Sequence, residues 1–191
     1  MLTEKEKMLA GELYLASDPE LVAEREAAAA WMARHNAAAA AGASARRALL
    51  RERLAAVGDG AEIRPPFHCD YGYNITLGAG AFLNFNCTVL DVMWVRIGDG
   101  TQIGPGVQIL AADHPRDPEE RRAGLEFGRP VSIGRNCWIG GGAIILPGVT
   151  IGRDSIVGAG AVVTQSVAPG STVAGNPARR LMKPPPTETE V

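Results

Sequence analysis

The chain has 191 residues with a net charge of -2, 46% hydrophobic and only 5% aromatic residues, and 23 glycines. That balance excludes a general nucleic-acid or membrane-surface binder, and no apolar run is long enough to span a bilayer. The start, Met1-Leu2-Thr3-Glu4-Lys5-Glu6-Lys7, lacks the apolar core of a signal peptide. Cys69, Cys87 and Cys137 form no CxxC pair and are odd in number, so reduced, buried thiols and a cytoplasmic location are expected.

Residues 1–57 read as a helical segment. Thr3 and Glu6 have capping-box spacing. Asp18-Pro19 reads as an N-cap followed by proline in the first turn. Glu20 to Ala41 is alanine-rich, with Leu21, Trp31 and Met32 as packing points. Ser44 is placed as the cap of a third helix through Leu49, Leu50 and Leu54, and Gly58-Asp59-Gly60 closes the region.

Residues 58–183 follow a different rule. Ile133, Ile139, Ile145, Ile151, Val157 and Val163 recur every six residues, as do Ile97, Ile103 and Ile109 upstream. Glycine follows six of the nine, at 98, 104, 134, 140, 152 and 158, and is read as giving backbone freedom at corners. Four places after each anchor stands Thr101, Val107, Cys137, Ala143, Val149, Ser155, Ala161 or Val167. A weaker register runs through Leu77, Leu83 and Val89, then shifts by two to reach Ile97. Period six fits neither a helix nor an alternating strand. It fits three short strands per triangular coil, with β-branched anchors stacked inside one continuous core. Residues 111–130, starting with Asp113-His114-Pro115 and rich in charge and proline, break the pattern and read as a projecting loop. Residues 184–191 read as a disordered tail.

Several stretches together resemble the maltose and galactoside O-acetyltransferases, most closely the maltose branch. They are the hexads, the loop opening at Asp113, Trp138-Ile139-Gly140-Gly141, Gly175-Asn176-Pro177-Ala178-Arg179, and Cys69-Asp70-Tyr71-Gly72-Tyr73-Asn74-Ile75. In the helical start they are Glu4 to Met8, Ala10 to Tyr14 and Asp18. The resemblance implies a left-handed parallel β-helix, an exception to the right-handed crossover rule. It implies acetyl-CoA as co-substrate, no metal, and a homotrimer with sites between neighbouring subunits.

Acetyl transfer from a thioester to an alcohol needs a base, because the hydroxyl is a poor nucleophile until its proton is taken. Of the three histidines, His35 lies in an alanine-rich helical stretch and His68 just before the prism, where packing roles suffice. His114 sits where the repeat gives way to the loop, and the resemblance makes it the general base. It also implies Asp18, Asp70 and Asn84 as acceptor contacts. Asp91 is a further candidate contact, and Glu126 either orients His114 or touches the sugar. For CoA it implies Gly141, Ala159, Thr164 and Arg179. Trp138 packs beside the acetyl or pantetheine arm, Gln165 follows Thr164, and Arg180 or Lys183 adds charge near phosphate. The N–H of Gly141 is a candidate oxyanion donor. Cys137 occupies a small inward slot and is not expected to be a nucleophile.

Three positions depart from the family pattern. Val92 stands where the galactoside branch has an acid, Gln165 where a lysine is common, and Met182 where some relatives have arginine. Rival readings are a non-sugar acceptor (an antibiotic, a Nod-factor-like oligosaccharide or serine), a longer acyl donor, or a non-catalytic assembly prism. A carbonic-anhydrase-like metal site is disfavoured, because two of the three histidines lie outside the hexads.

Overall fold

The computed structural model describes residues 2–181; Met182, Lys183 and the tail from 184 onward lie outside the described residues. Three helices come first: α1 (Glu4–Ala10), α2 (Pro19–Ala37) and α3 (Ala43–Arg53). Thr3 and Glu6 form the expected capping box on α1, and Gly11, with φ 74°, ends it in the left-handed region. Asp18 caps α2 by accepting from Glu20 N–H at 3.0 Å, with Pro19 in the first turn. Ser44 is not the cap of α3: that position falls to Gly42, which has no side chain to give, and Ser44 is already inside the helix.

The remainder is a three-sided prism of parallel strands. The first face stacks Ala56–Val57, Ile75–Leu77, Val95–Ile97, Val131–Ile133 and Thr150–Ile151. The second stacks Glu62–Ile63, Phe82–Leu83, Gln102–Ile103, Trp138–Ile139, Ile156–Val157 and Thr172–Ala174, with Arg179–Arg180 returning antiparallel at the end. The third stacks Phe67–Cys69, Cys87–Leu90, Gln108–Leu110, Ile144–Ile145 and Val162–Val163. The chain visits the faces in this order, so every third strand lies over its predecessor. The strand at Ala56–Val57 already pairs within the prism, just ahead of the Gly58-Asp59-Gly60 stretch.

Register explains the periodicity. Ile63, Leu83, Ile103, Ile139, Val157 and Val173 form one inward column. Leu77, Ile97, Ile133 and Ile151 form a second, and Cys69, Val89, Ile109, Ile145 and Val163 a third. All nine sequence anchors are buried, and so are the eight small residues between them, from Thr101 to Val167. Each buried Ile or Val contributes roughly 1.5–3 kcal/mol. The columns also order the core, because a β-branched chain on one coil fits against its copy on the next.

The glycines that follow the anchors serve another purpose than the one expected of them. A Cβ on Gly98 would lie 2.5 Å from Arg135 N, and one on Gly134 would lie 2.5 Å from Arg153 N. They are glycines because successive coils touch backbone to backbone there. Positive φ comes two residues later, as at Gly100 (63°) and Asn136 (54°), where the corner turns.

Departures from the six-residue step gather on the edge between the third and first faces. Cys69 to Leu77 and Val89 to Ile97 take two residues more than six, and Ile109 to Ile133 holds the whole loop. The loop is itself folded. Ala112–Asp113 pairs antiparallel with Leu125–Gly128, which pairs in turn with Tyr14–Leu15 from the N-terminal segment. A short helix, α4 (Pro118–Arg122), capped by Asp117, closes the tip. The helical segment is thus tied to the loop by a three-stranded sheet. It is tied to the first coils by α2 and α3, where Trp31 donates to Leu49 O at 2.8 Å and Asn36 bonds both N–H and C=O of Phe67.

Candidate active site

A cleft of about 280 Å³ opens where the N-terminal segment, the first two irregular corners and the loop meet. Tyr14 and Ala16 come from the segment, Arg25 from α2, Asp70 and Tyr71 from one corner, Leu90 and Val92 from the next, and Ala112, His114 and Glu126 from the loop. Three residues expected at the site, His114, Asp70 and Glu126, therefore converge, though they are spread over more than fifty positions of sequence. Each depends on an irregularity: two added residues make the corner that carries Asp70, and the loop supplies the other two.

His114 is exposed to the cleft. Its backbone is fixed, with its N–H donating to Asp113 Oδ1 at 2.8 Å and its carbonyl accepting from Arg116 at 2.6 Å. Glu126 accepts from the Tyr14 hydroxyl at 3.0 Å, and burial drives that phenol well above its ordinary range. Among the described residues Glu126 makes no hydrogen bond to the His114 ring. Asp70 is half-buried, and burial pushes its carboxyl up to about 6 against the pull of Arg25, with Glu126 adding to the rise. Arg25 donates to the Tyr71 hydroxyl at 2.8 Å and to Ala16 O at 2.6 Å. The cleft thus offers carboxylate, phenol and guanidinium groups on an apolar floor. Such a set can hold a hydroxyl-rich ligand beside an imidazole.

Asp91 is placed differently from expectation. It is fully buried under the corner, accepting from the backbone N–H groups of Asp70 (3.1 Å), Tyr71 (2.9 Å) and Asn74 (3.3 Å). It shapes the wall that carries Asp70 and does not itself line the cleft. Asp18 does not line the cleft; its carboxylate is engaged in capping α2. Tyr14, Arg25 and Tyr71 were missed as site residues. Both tyrosines sit in the quoted motif stretches, and Arg25 lies four residues after the buried Leu21 on the same helix face.

The residues expected at CoA fall into separate groups. Thr164 lines a cavity of about 440 Å³ at the loop base with Leu110, Asp113, Arg129 and Pro147. Gln165, Arg179 and Arg180 line one of about 220 Å³ at the end of the prism. Gly141 and Ala159 lie on a different edge, between the second and third faces, where Gly160 N–H donates to Gly141 O at 2.9 Å. The N–H of Gly141 makes no hydrogen bond among the described residues. Asn84 stands lower on this same edge, and Trp138, 59% exposed, projects from the second face beside it. One chain cannot fold these two edges against each other, because the prism body lies between them.

Cys69, Cys87 and Cys137 are free and buried. Burial raises all three thiols, Cys87 to about 11, so none is poised as a nucleophile. Among the described residues no group of three or more His, Cys, Asp or Glu could hold a metal ion. No helix there is long and apolar enough to cross a membrane.

Comparison with known proteins agrees with this architecture. Residues 7–58 match the model of the maltose acetyltransferase hexapeptide capping motif, and residues 130–165 match that of the bacterial transferase hexapeptide (six repeats). Nodulation protein L of Rhizobium meliloti (strain 1021) is 65% identical over 93% of this chain and 97% of its own. The crystal structure of a maltose O-acetyltransferase from Clostridium difficile 630 superposes with TM-score 0.93 at 44% identity, covering 95% of this chain and 97% of that one. A galactoside acetyltransferase in complex with coenzyme A superposes with TM-score 0.90 at 35% identity, covering 96% and 92%. The left-handed parallel β-helix and its helical cap are therefore shared over about 95% of the chain, which belongs to the maltose and galactoside O-acetyltransferase family of acetyl-CoA-dependent hexapeptide-repeat acyltransferases.

Proposed function

We propose that the protein moves the acetyl group of acetyl-CoA directly to a hydroxyl of a maltose- or glucose-like sugar, with His114 as general base. The observation that carries this is the placement of His114 in a cleft with Asp70, Glu126 and Arg25. A ring nitrogen of His114 takes the hydroxyl proton as the oxygen attacks the thioester carbonyl. The tetrahedral oxyanion that forms is met by a backbone donor, for which Gly141 N–H is the candidate. Collapse breaks the C–S bond, and the departing thiolate takes the proton from the imidazolium. No acyl-enzyme is needed, in keeping with the burial of all three thiols.

The two separated edges support a homotrimer as the working unit. His114, Asp70 and Thr164 of one subunit would face Asn84, Trp138, Gly141 and Ala159 of the next, completing the sugar and CoA sites between prisms. Free, buried thiols suit a cytoplasmic setting. A second acceptor class, a Nod-factor-like oligosaccharide, is favoured by the higher identity to a nodulation protein than to the maltose enzyme structure.

The test is CoA release from acetyl-CoA with glucose, maltose, a galactoside, a chitooligosaccharide and serine. Turnover with a carbohydrate and none with serine supports the reading; turnover with serine alone overturns the sugar assignment. In the same assay, mixing the inactive variants His114→Ala and Asn84→Ala after dissociation and reassembly should restore part of the activity. A site shared between subunits is left intact at some interfaces of a mixed trimer. No recovery, with mixed trimers verified by mass, would place the whole site within one chain.

A further inference from the structure

Residues 113–116 carry hydrogen bonds that converge on the backbone of His114 and its neighbours, although Asp113 and Arg116 also line the cavity that holds Thr164. Asp113 accepts the His114 N–H at 2.8 Å. The Arg116 guanidinium grips the Asp113 carboxylate with both ends, at 2.8 and 3.2 Å, and donates to the His114 carbonyl at 2.6 Å. From α4, Arg121 donates to the carbonyls of Pro115 (2.8 Å) and Arg116 (2.7 Å). The His114 N–H and three successive carbonyls are thus held by one carboxylate and two guanidinium groups. Arg129 stands 3.9 Å from Asp113 on the other side, and the Arg116 hydrogen bonds hold the Asp113 carboxyl below its usual range against the effect of burial.

Core stability is a poor explanation for this arrangement. The Arg116 side chain is 78% exposed, and exposed ion pairs contribute only ~0–1 kcal/mol. Yet the bonds are bidentate and convergent on a single stretch of backbone, which is geometry that fixes direction. The His114 ring makes no side-chain hydrogen bond among the described residues, so its aim depends on where its backbone is held. We propose that Asp113, Arg116 and Arg121 form a clamp that positions His114, and that they act on the rate of acetyl transfer through the direction of its imidazole. The three are positioning residues for the base, since none of them lines the cleft that His114 faces. The clamp rests on the reading of His114 as the base.

The experiment compares Asp113→Asn, Arg116→Gln and Arg121→Gln with the parent as full-length protein. Each substitution should lower kcat about 10- to 100-fold, the scale of a misplacement near 1 Å. KM for the acceptor and the melting temperature should stay at parent values. Hydrogen exchange supplies a readout free of turnover: residues 112–117 should lose protection while the prism strands keep theirs. Unchanged kcat and unchanged exchange in all three variants would overturn the clamp, and so would a loss of kcat that merely tracks a loss of melting temperature. If the parent turns over no acceptor at all, the functional reading fails separately, and hydrogen exchange alone decides whether the clamp holds this segment.

Discussion

His114→Ala is expected to lower kcat for sugar acetylation by about 10²–10⁴-fold, the usual contribution of one positioned general base. At 25 °C that is roughly 3–5 kcal/mol of lost transition-state stabilisation. The loss should fall on turnover alone. His114 is exposed at the cleft and supports no core packing, so the melting temperature should not move. His114 lines neither cavity that holds Thr164, Gln165, Arg179 or Arg180, so CoA should bind with its parent affinity. His35→Ala offers the opposite pattern. His35 is fully buried, stacked on Trp31 with ring centroids 5.5 Å apart and edge-on to Phe67 at 6.4 Å. Removing it should cost stability by opening a cavity between cap and prism, while the chemistry of the folded fraction is unchanged. CoA release at saturating substrates and thermal melts on both variants separate the two histidines. Equal turnover by parent and His114→Ala would remove His114 from the mechanism.

The prism was legible because its physics is periodic. An inward Ile every sixth residue, from Ile97 to Ile109 and again from Ile133 to Ile151, can be counted without coordinates, and each proved to lie in a stacked column. Caps made by local side chains, Thr3 and Asp18, were legible for the same reason, since partner and donor are within three residues. What failed involves neighbours far apart in sequence. The glycine at 134 looks like a turn residue until Arg153 is seen against it. Asp91 looks like a ligand contact until the corner at 70–74 is found wrapped around its carboxylate. Tyr14 meets Glu126 only because the loop folds back over the N-terminal segment. The edge on which a residue falls was equally hidden. Counting in sixes locates corners, but corners two residues longer than the rest break the count, so the distance between Asn84 and His114 could not be read from spacing. Those same long corners build the cleft, which is why the site was less visible than the scaffold.

Asp91→Ala is expected to lower the melting temperature by about 10 °C near pH 6, and by less near pH 8. The first part follows from the three backbone N–H groups that its carboxyl accepts. Left unpaired, buried donors cost roughly 1–3 kcal/mol each. With partial relief by water the sum is near 4 kcal/mol, and at this chain length each kcal/mol shifts the melting temperature by about 2–4 °C. The second part follows from charge. Burial pushes Asp91 up to about 7, against the pull of the Tyr71 N–H and with Asp70 adding to the rise. Its unfolded value is near 3.9, so the folded state holds the proton more tightly. Stability from Asp91 is therefore complete below about pH 4 and declines as pH rises through about 7, where the buried carboxyl ionises. At pH 8 the alanine variant loses the same hydrogen bonds but also sheds a buried charge, and its deficit narrows. Asp70, pushed up to about 6, titrates in both proteins and largely cancels in the difference. Melts of parent and variant at half-unit steps from pH 5.5 to 8.5 (roughly the window bracketing both values) check the sign. A deficit that widens with pH would mean that the ionised carboxylate, held by its three N–H donors, stabilises the corner more than its burial costs. Asp70 would then rest on a fixed negative charge at neutral pH, and the cleft above it would favour ligands that bring hydroxyl donors to that wall.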